Sequence, residues 1–296
     1  MPIVEALSDP IMRRIYLTAF LAGLSVVVMC GVLSVLVVVK KLGFVGQGVS
    51  HSAFGGIGVA AVVGALGFAP DGGAVQLLIV LAFCIAAALG MAAVSDRRTL
   101  SLDTAIGMFL VGSMALGAIL VQEARLIAER SGRSSSVQSW ESILFGSILT
   151  SDTRDVTVGW TIAGVVIAGA WVFRRPMLFW ALDEESSRAF GVPAKAMKIA
   201  LMVLLSLAVV VAMKLAGVVL ATALLVLPGA TALKLTSRMW PVVGISVGSG
   251  VAGLVGGMAL SILLNWQPGP GVVVVMTGLF LMATAAGSVT RRAVPT

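Results

Sequence analysis

Charge is scarce in this chain of 296 residues: Asp, Glu, Lys and Arg make up 11% of it, where a soluble domain carries about 25%. None of the four occurs in Ile15–Val39, Leu42–Pro70, Gly72–Ser95, Thr104–Gln122, Val156–Phe173, Leu215–Leu233 or Met239–Thr290. Such gaps exclude a water-solvated globule. Histidine occurs once, which excludes a metalloprotease of the His-Glu-x-x-His type. The two cysteines, Cys30 and Cys84, each sit in an apolar stretch and form no Cys-x-x-Cys pair, so neither a disulfide framework nor a thiol redox motif is present. No Gly-x-x-x-x-Gly-Lys-Ser/Thr loop occurs, so the chain does not hydrolyse ATP by that route. The low hydrophobicity and high net charge of disordered chains are also missing.

What remains is apolar. Hydrophobic residues make up 59% of the sequence and its mean hydropathy is +1.08. About 20 apolar residues cross a bilayer core roughly 30 Å thick. Nine segments approach that length: Tyr16–Val39, Leu42–Leu66, Val75–Val94, Leu102–Val121, Val156–Phe173, Ile199–Met213, Leu215–Leu233, Pro241–Leu264 and Gly271–Ser288. They predict an all-α polytopic transmembrane helical bundle of eight or nine crossings, one domain over residues 1–296. The first segment is too long for a signal-peptide core and is expected to stay in the mature protein. Between the last two segments, Asn265–Gly271 holds two prolines, which cannot continue a helical hydrogen-bond ladder. Gly55–Gly58 and Gly253–Gly257 are the densest glycine patches, and their expected use is close helix packing.

The formal charge of +7 is explained by basic loops flanking the membrane rather than by nucleic acid. Arg174–Lys198 carries five basic residues against three acidic ones and is the better cytoplasmic candidate. Four segments onward, Arg291 and Arg292 then fall in the cytoplasm as well. Counting five segments back leaves Arg13 and Arg14 outside, against the rule, and so the expected number of crossings stays at eight or nine. Glu123–Asp155 is the other polar stretch, with an apolar island, Ile143–Leu149, too short to span and suited to an interfacial or re-entrant helix.

Ionisable groups inside membrane segments are costly and mark functional sites. His51 lies ten residues beyond Lys41, about 15 Å along a helix and near the midplane. Gln47 precedes it by one turn on the same face. Imidazole suits zinc, copper, iron and nickel, and amide or carboxylate oxygens suit harder ions such as manganese. Asp103 opens another segment, and two crossings between the two helix starts put both toward one membrane face. The plainer alternatives are a hydrogen-bonded core histidine for His51 and an N-terminal cap for Asp103. Lys214 is expected to snorkel to an interface, and Glu184 and Glu185 to be solvated.

Five elements, in order, resemble the membrane permease subunits of ABC-type importers for zinc, manganese and iron. They are Lys41–Ser52, containing Gln47 and Ser50-His51; Leu102-Asp103-Thr104-Ala105-Ile106-Gly107; Ile143–Leu149; Asp183–Pro193; and Gly217–Thr231, which ends Leu227-Pro228-Gly229-Ala230-Thr231. The resemblance implies a fold related to the importers of vitamin B12 and siderophores. It implies two permease copies, a separate cytosolic ATPase pair and an external metal-binding protein, in the cytoplasmic (inner) membrane. No tightly bound cofactor is implied, only a transported divalent ion, and no enzymatic activity in this chain. Gln47, His51 and Asp103 correspond to the family's metal-contacting positions, with Gln47 where an Asp is usual. The loop holding Asp183, Glu184, Arg188, Gly191 and Pro193 corresponds to its ATPase-coupling segment. Two other readings stay open from the residues: a permease for a bulky metal chelate such as a siderophore, and a stand-alone ion-coupled secondary transporter.

Overall fold

A computed structural model describes residues 10–68, 74–95, 100–131, 148–150, 152–236 and 238–292. Among them lie eleven α-helices: α1 (Pro10–Val39), α2 (Gly43–Ala65), α3 (Ala74–Ser95), α4 (Leu102–Arg130), α5 (Thr153–Val172), the short α6 (Arg174–Leu182) and α7 (Glu184–Ala189), α8 (Ala194–Ala216), α9 (Val218–Leu235), α10 (Met239–Leu264) and α11 (Pro268–Arg292). All but α6 and α7 are long and apolar enough to cross a bilayer, which gives nine candidate spans among the described residues. Each of the nine expected segments falls on one of them. Of the island Ile143–Leu149, only Ile148 and Leu149 lie within the described residues, in a single 3₁₀ turn over Ile148–Thr150.

Local chemistry sets the helix ends. Ser101 caps α4 by accepting the Thr104 N–H at 3.2 Å. Asp152 and Asp155 form a reciprocal capping box at the start of α5. Gly217 separates α8 from α9 at φ +85°, a conformation that glycine adopts without steric cost. Asn265 ends α10 in the left-handed region at φ +54°. The turn after it is shorter than the prolines suggested, because Pro268 and Pro270 sit in the first turn of α11, where backbone N–H groups lack helical partners anyway.

The chain divides into two compact units: Met1–Gly43 with Glu141–Val192 and Val211–Thr296, and Phe44–Trp140 with Pro193–Val210. In the first, α1 is a central helix packed by α5, α9 and α10. Its polar contacts reach the proline-containing stretch of a neighbour. Pro228 lies inside the continuous helix α9, and the Gly229 N–H donates to Ser34 Oγ of α1 at 2.8 Å. Within a bilayer a backbone group beside a proline has no water to turn to, and here a neighbouring helix supplies an acceptor. A Cβ on Gly229 would lie 2.6 Å from the Ser34 backbone, so only glycine allows this approach. From α10, Ser246 Oγ donates to the Gly31 carbonyl at 2.7 Å. Lys214 does more than reach an interface: its Nζ is 2.9 Å from Asp155 Oδ1. Gly253, Gly256 and Gly257 meet Met276, Val275 and Val272 of α11, the packing use expected of that patch.

In the second unit, α2 packs against both α3 and α4 through glycines. Gly55 and Gly56 face Phe83 and Val80 of α3. Gly48, Gly55 and Gly58 face Ile106, Ser113 and Gly117 of α4. The sequence offset across these three pairs stays at 58 or 59, so α2 and α4 run parallel and nearly in register. Lys198 Nζ, near the start of α8, donates to Ser95 Oγ at 2.8 Å and to the Ala92 carbonyl at 3.2 Å at the end of α3. Cys30 and Cys84 are free and buried.

Candidate functional site

His51 shares a stripe with Gly48, Gly55 and Gly58, spaced three and four residues apart on the α2 face that meets α4. The three glycines let the two helices approach closely, and the imidazole occupies the one large position in the stripe. Its Nδ1 is buried without a hydrogen-bond partner, and its ring stacks on Phe54 at 5.9 Å between centroids and 20° between planes. A structural histidine normally has such an atom satisfied. At Nδ1 the plainer reading of His51 therefore lacks its hydrogen bond. The adjacent Ser52 Oγ is also buried and unpartnered.

Asp103 lies in the first turn of α4 and is exposed, but it is not the cap. Ser101 takes that role. Its carboxylate is thus not used up by the helix end. The α2–α4 register puts Asp103 level with Val45, about 3 Å along the axis from Gln47 and about 9 Å from His51 at 1.5 Å per residue. Gln47 is exposed one turn before His51. The three side chains thus lie on two parallel helices of one unit at two levels, Gln47 and Asp103 at the first and His51 further in. Among the described residues, no group of three or more His, Cys, Asp or Glu side chains comes together to hold a metal. The structure therefore does not bring His51 and Asp103 into one coordination sphere; the chain offers an amide and a carboxylate at one level and an imidazole at the next, too few at either to replace the hydration shell of a divalent ion. Such a set suits passage more than storage, because conduction needs a site weak enough to let go.

The expected coupling segment is built differently. Asp183 caps α7, accepting the Ser186 N–H at 3.0 Å and the Ser186 hydroxyl at 2.5 Å. These bonds hold its carboxyl below the usual range. Glu184 is not merely solvated, contrary to the sequence expectation: its carboxylate takes Lys40 Nζ at 3.0 Å and Arg188 Nη2 at 2.7 Å. Burial pushes its pKa up, but the Lys40 and Arg188 contacts outweigh this and hold it below the ordinary glutamate value. Gly191, at φ +81°, ends α7 with the Gly191 N–H on the Arg188 carbonyl and the Val192 N–H on the Ser187 carbonyl. No atom comes within 4 Å of a Cβ placed on Gly191, so its backbone angle alone calls for glycine. Pro193 follows, and its carbonyl accepts the Met197 N–H as α8 begins. Phe190 stands 80% exposed beside Phe179.

Sequence reasoning missed Lys40 and Trp180. Lys40 Nζ lies 4.0 Å from the centroid of the Trp180 ring as well as against Glu184. The separation of Lys40 from Glu184 is 144 residues, and no local signal joins them.

Comparison with known proteins decides the class. Residues 12–287 match the ABC 3 transport family. The chain belongs to that family. It is 30% identical over 276 residues to the manganese transport system membrane protein MntC of Halalkalibacterium halodurans, covering 93% of this chain and 88% of the relative. A manganese import system permease protein, ScaB of Streptococcus parasanguinis, is 25% identical over 265 residues, covering 90% of this chain and 88% of ScaB. Among solved structures, a chain of PsaBC from Streptococcus pneumoniae in complex with Fab superposes with a TM-score of 0.76 at 23% identity, covering 95% of this chain and 93% of that one. The fold is thus that of an ABC permease, and this member of the ABC 3 transport family is a multi-pass membrane transport subunit, not an enzyme.

Proposed function

We infer that the chain is the permease of an ATP-driven importer that carries a divalent metal ion across the cytoplasmic membrane. The carrying observation is the buried, unpartnered Nδ1 of His51 on the α2 face toward α4, with Gln47 one turn before it and the uncommitted Asp103 carboxylate on the parallel helix. The ion meets Gln47 and Asp103 first or last, and His51 at the deeper level. An imidazole takes first-row divalent ions and a carboxylate favours the harder ones among them, which suits manganese or iron as cargo and admits zinc. The manganese systems named for the relatives support manganese as the first ion to test.

One ion pair, taken with the charge bias of the loops, supports a sidedness. Lys40 follows α1 and Glu184 opens α7, so their contact needs an even number of crossings between them. The candidate spans α2, α3, α4 and α5 supply four. With the basic Arg174–Lys198 stretch on the cytoplasmic side and all nine candidate spans taken as crossing, α1 enters from outside, and Arg13 and Arg14 are an exception to the positive-inside rule. The segment Asp183–Pro193 then faces the cytosol, where an ATPase pair docks against it. A second permease copy completes the path, and an external binding protein delivers the ion.

Vesicles holding the permease–ATPase complex test this reading through ATP-dependent uptake of manganese, iron and zinc, one ion at a time. His51→Ala is expected to lower uptake of the cargo ion more than about tenfold at equal protein level, the size of effect that loss of a ligating or orienting group at a metal carries. Uptake unchanged by that substitution removes His51 from the path.

A further inference from the structure

We propose that Lys40 is the positioning residue that transmits movement of the α6–α7 segment to α1. This inference rests on the reading of that segment as the ATPase-docking surface, and it adds the route by which docking reaches the membrane helices.

The geometry is specific. Lys40 follows the last turn of α1, and its side chain is only 14% exposed. Its ammonium contacts both short helices at once: the Trp180 ring face in α6 at 4.0 Å and the Glu184 carboxylate in α7 at 3.0 Å. Trp180 is itself buried, so the cation–π contact is shielded from water, where such contacts are strongest. Glu184 is anchored from its other side by Arg188 at 2.7 Å. Asp183, between the two helices, is fixed by its bonds to Ser186. These bonds brace α7, which is joined to α6 by the Asp183 N–H on the Phe179 carbonyl and by the Phe179–Phe190 ring contact, so a push on the exposed Phe190 or Arg188 reaches α1 through the pair and Lys40.

Helix α1 is suited to receive that push. It is bonded to α9 through Ser34 and Gly229, and to α10 through Ser246 and the Gly31 carbonyl. Gly31 also brings α1 close to the Val247 backbone. A shift of the Lys40 end is thus carried into the centre of its unit as a rigid displacement, because close-packed interiors transmit strain. One ammonium on two elements is a hinge pin rather than a surface ion pair, which would contribute little.

The test uses the complete permease–ATPase complex in vesicles, with manganese as the ion. Three quantities are read: cross-linking between a cysteine placed at Phe190 and the ATPase, ATP hydrolysis, and manganese ions imported per ATP hydrolysed. Lys40→Met is expected to leave the cross-link and hydrolysis intact while ions per ATP fall about tenfold, in the range of coupling between contacting residues. Lys40→Arg keeps a cation over the ring and on the carboxylate, and is expected to restore at least half of the ratio. A structural role alone would lower the cross-link and ATP hydrolysis together through protein level and would leave the ions-per-ATP ratio in place. An unchanged ratio in Lys40→Met with the cross-link present overturns the transmission role and leaves the docking reading standing. Failure of Lys40→Arg to restore a lowered ratio also overturns it. Absence of the cross-link in the otherwise unaltered complex overturns the docking reading, and this inference with it.

Discussion

The α2–α4 face and the α1–α6–α7 cluster handle ionisable groups in opposite ways. On the first, His51 Nδ1 and Ser52 Oγ are buried with no partner, and the Asp103 carboxylate is left free by Ser101. In the second, Glu184 has two cationic partners, Asp183 has two bonds to Ser186, and Lys40 contacts two elements. A site that exchanges a ligand must keep lone pairs available. A part that transmits force must not. The unsatisfied groups carry a cost that only an incoming partner removes, and the paired charges of the second cluster hold their geometry without one, although the buried Trp180 Nε1–H there also has no partner.

The largest expected break in this contrast comes from closing the gap that glycine keeps open. A Cβ on Gly117 of α4 would lie 2.5 Å from the Phe54 carbonyl of α2, a backbone atom that cannot step aside. Gly117→Val is expected to cost at least about 3 kcal/mol, the upper part of the overpacking range, and to remove transport by driving α2 from α4. Thermal unfolding of the purified protein in detergent, with uptake measured in parallel, checks both. A smaller effect is expected in the other unit. Ser34→Ala leaves the Gly229 N–H beside Pro228 without its acceptor, at a cost of about 1–3 kcal/mol for a buried unmade hydrogen bond. The unfolding midpoint is expected to fall while the ion preference stays the same. A changed preference would blur the division of labour between the two regions.

The smallest effect is on pH dependence. The carboxyl of Glu184 titrates below its ordinary value in the folded protein, so its contribution is complete above the unfolded glutamate pKa and is lost as pH falls through the folded one. Stability followed down through the acid range is expected to lose this share only below the ordinary glutamate range. Glu184→Gln is expected to remove that acid step. An acid step of the same size in Glu184→Gln would assign it to another group.

Much of this was legible in residue order. Charge-free runs marked the nine spans, and counting crossings put the starts of α2 and α4 on one face, as their parallel course in the structure agrees. Proline marked the break after Asn265, whereas the break between α8 and α9 was placed at Lys214 and falls instead at Gly217, whose backbone turns there. The cap of α4 was misassigned in the alternative for Asp103, since a serine two residues earlier meets the same local requirement. Contacts between distant residues were hidden. Nothing near Lys40 announces Glu184, and nothing near Ser34 announces Gly229, because each pairing exists only after helices far apart in the chain have packed. The apolar character that made the spans easy to find is also silent about which face meets which neighbour.

The central claim is that the His51 imidazole ligates the ion in transit, and the composition allows an unusually direct measurement. Because the chain holds a single histidine, permease made with ¹⁵N-histidine, without a histidine tag, carries its label at His51 alone. Assembled with unlabelled ATPase and given manganese, it is predicted to show ¹⁵N hyperfine coupling in pulsed electron paramagnetic resonance of the bound ion, absent from His51→Ala. Manganese bound by the labelled complex with no nitrogen coupling would contradict the account.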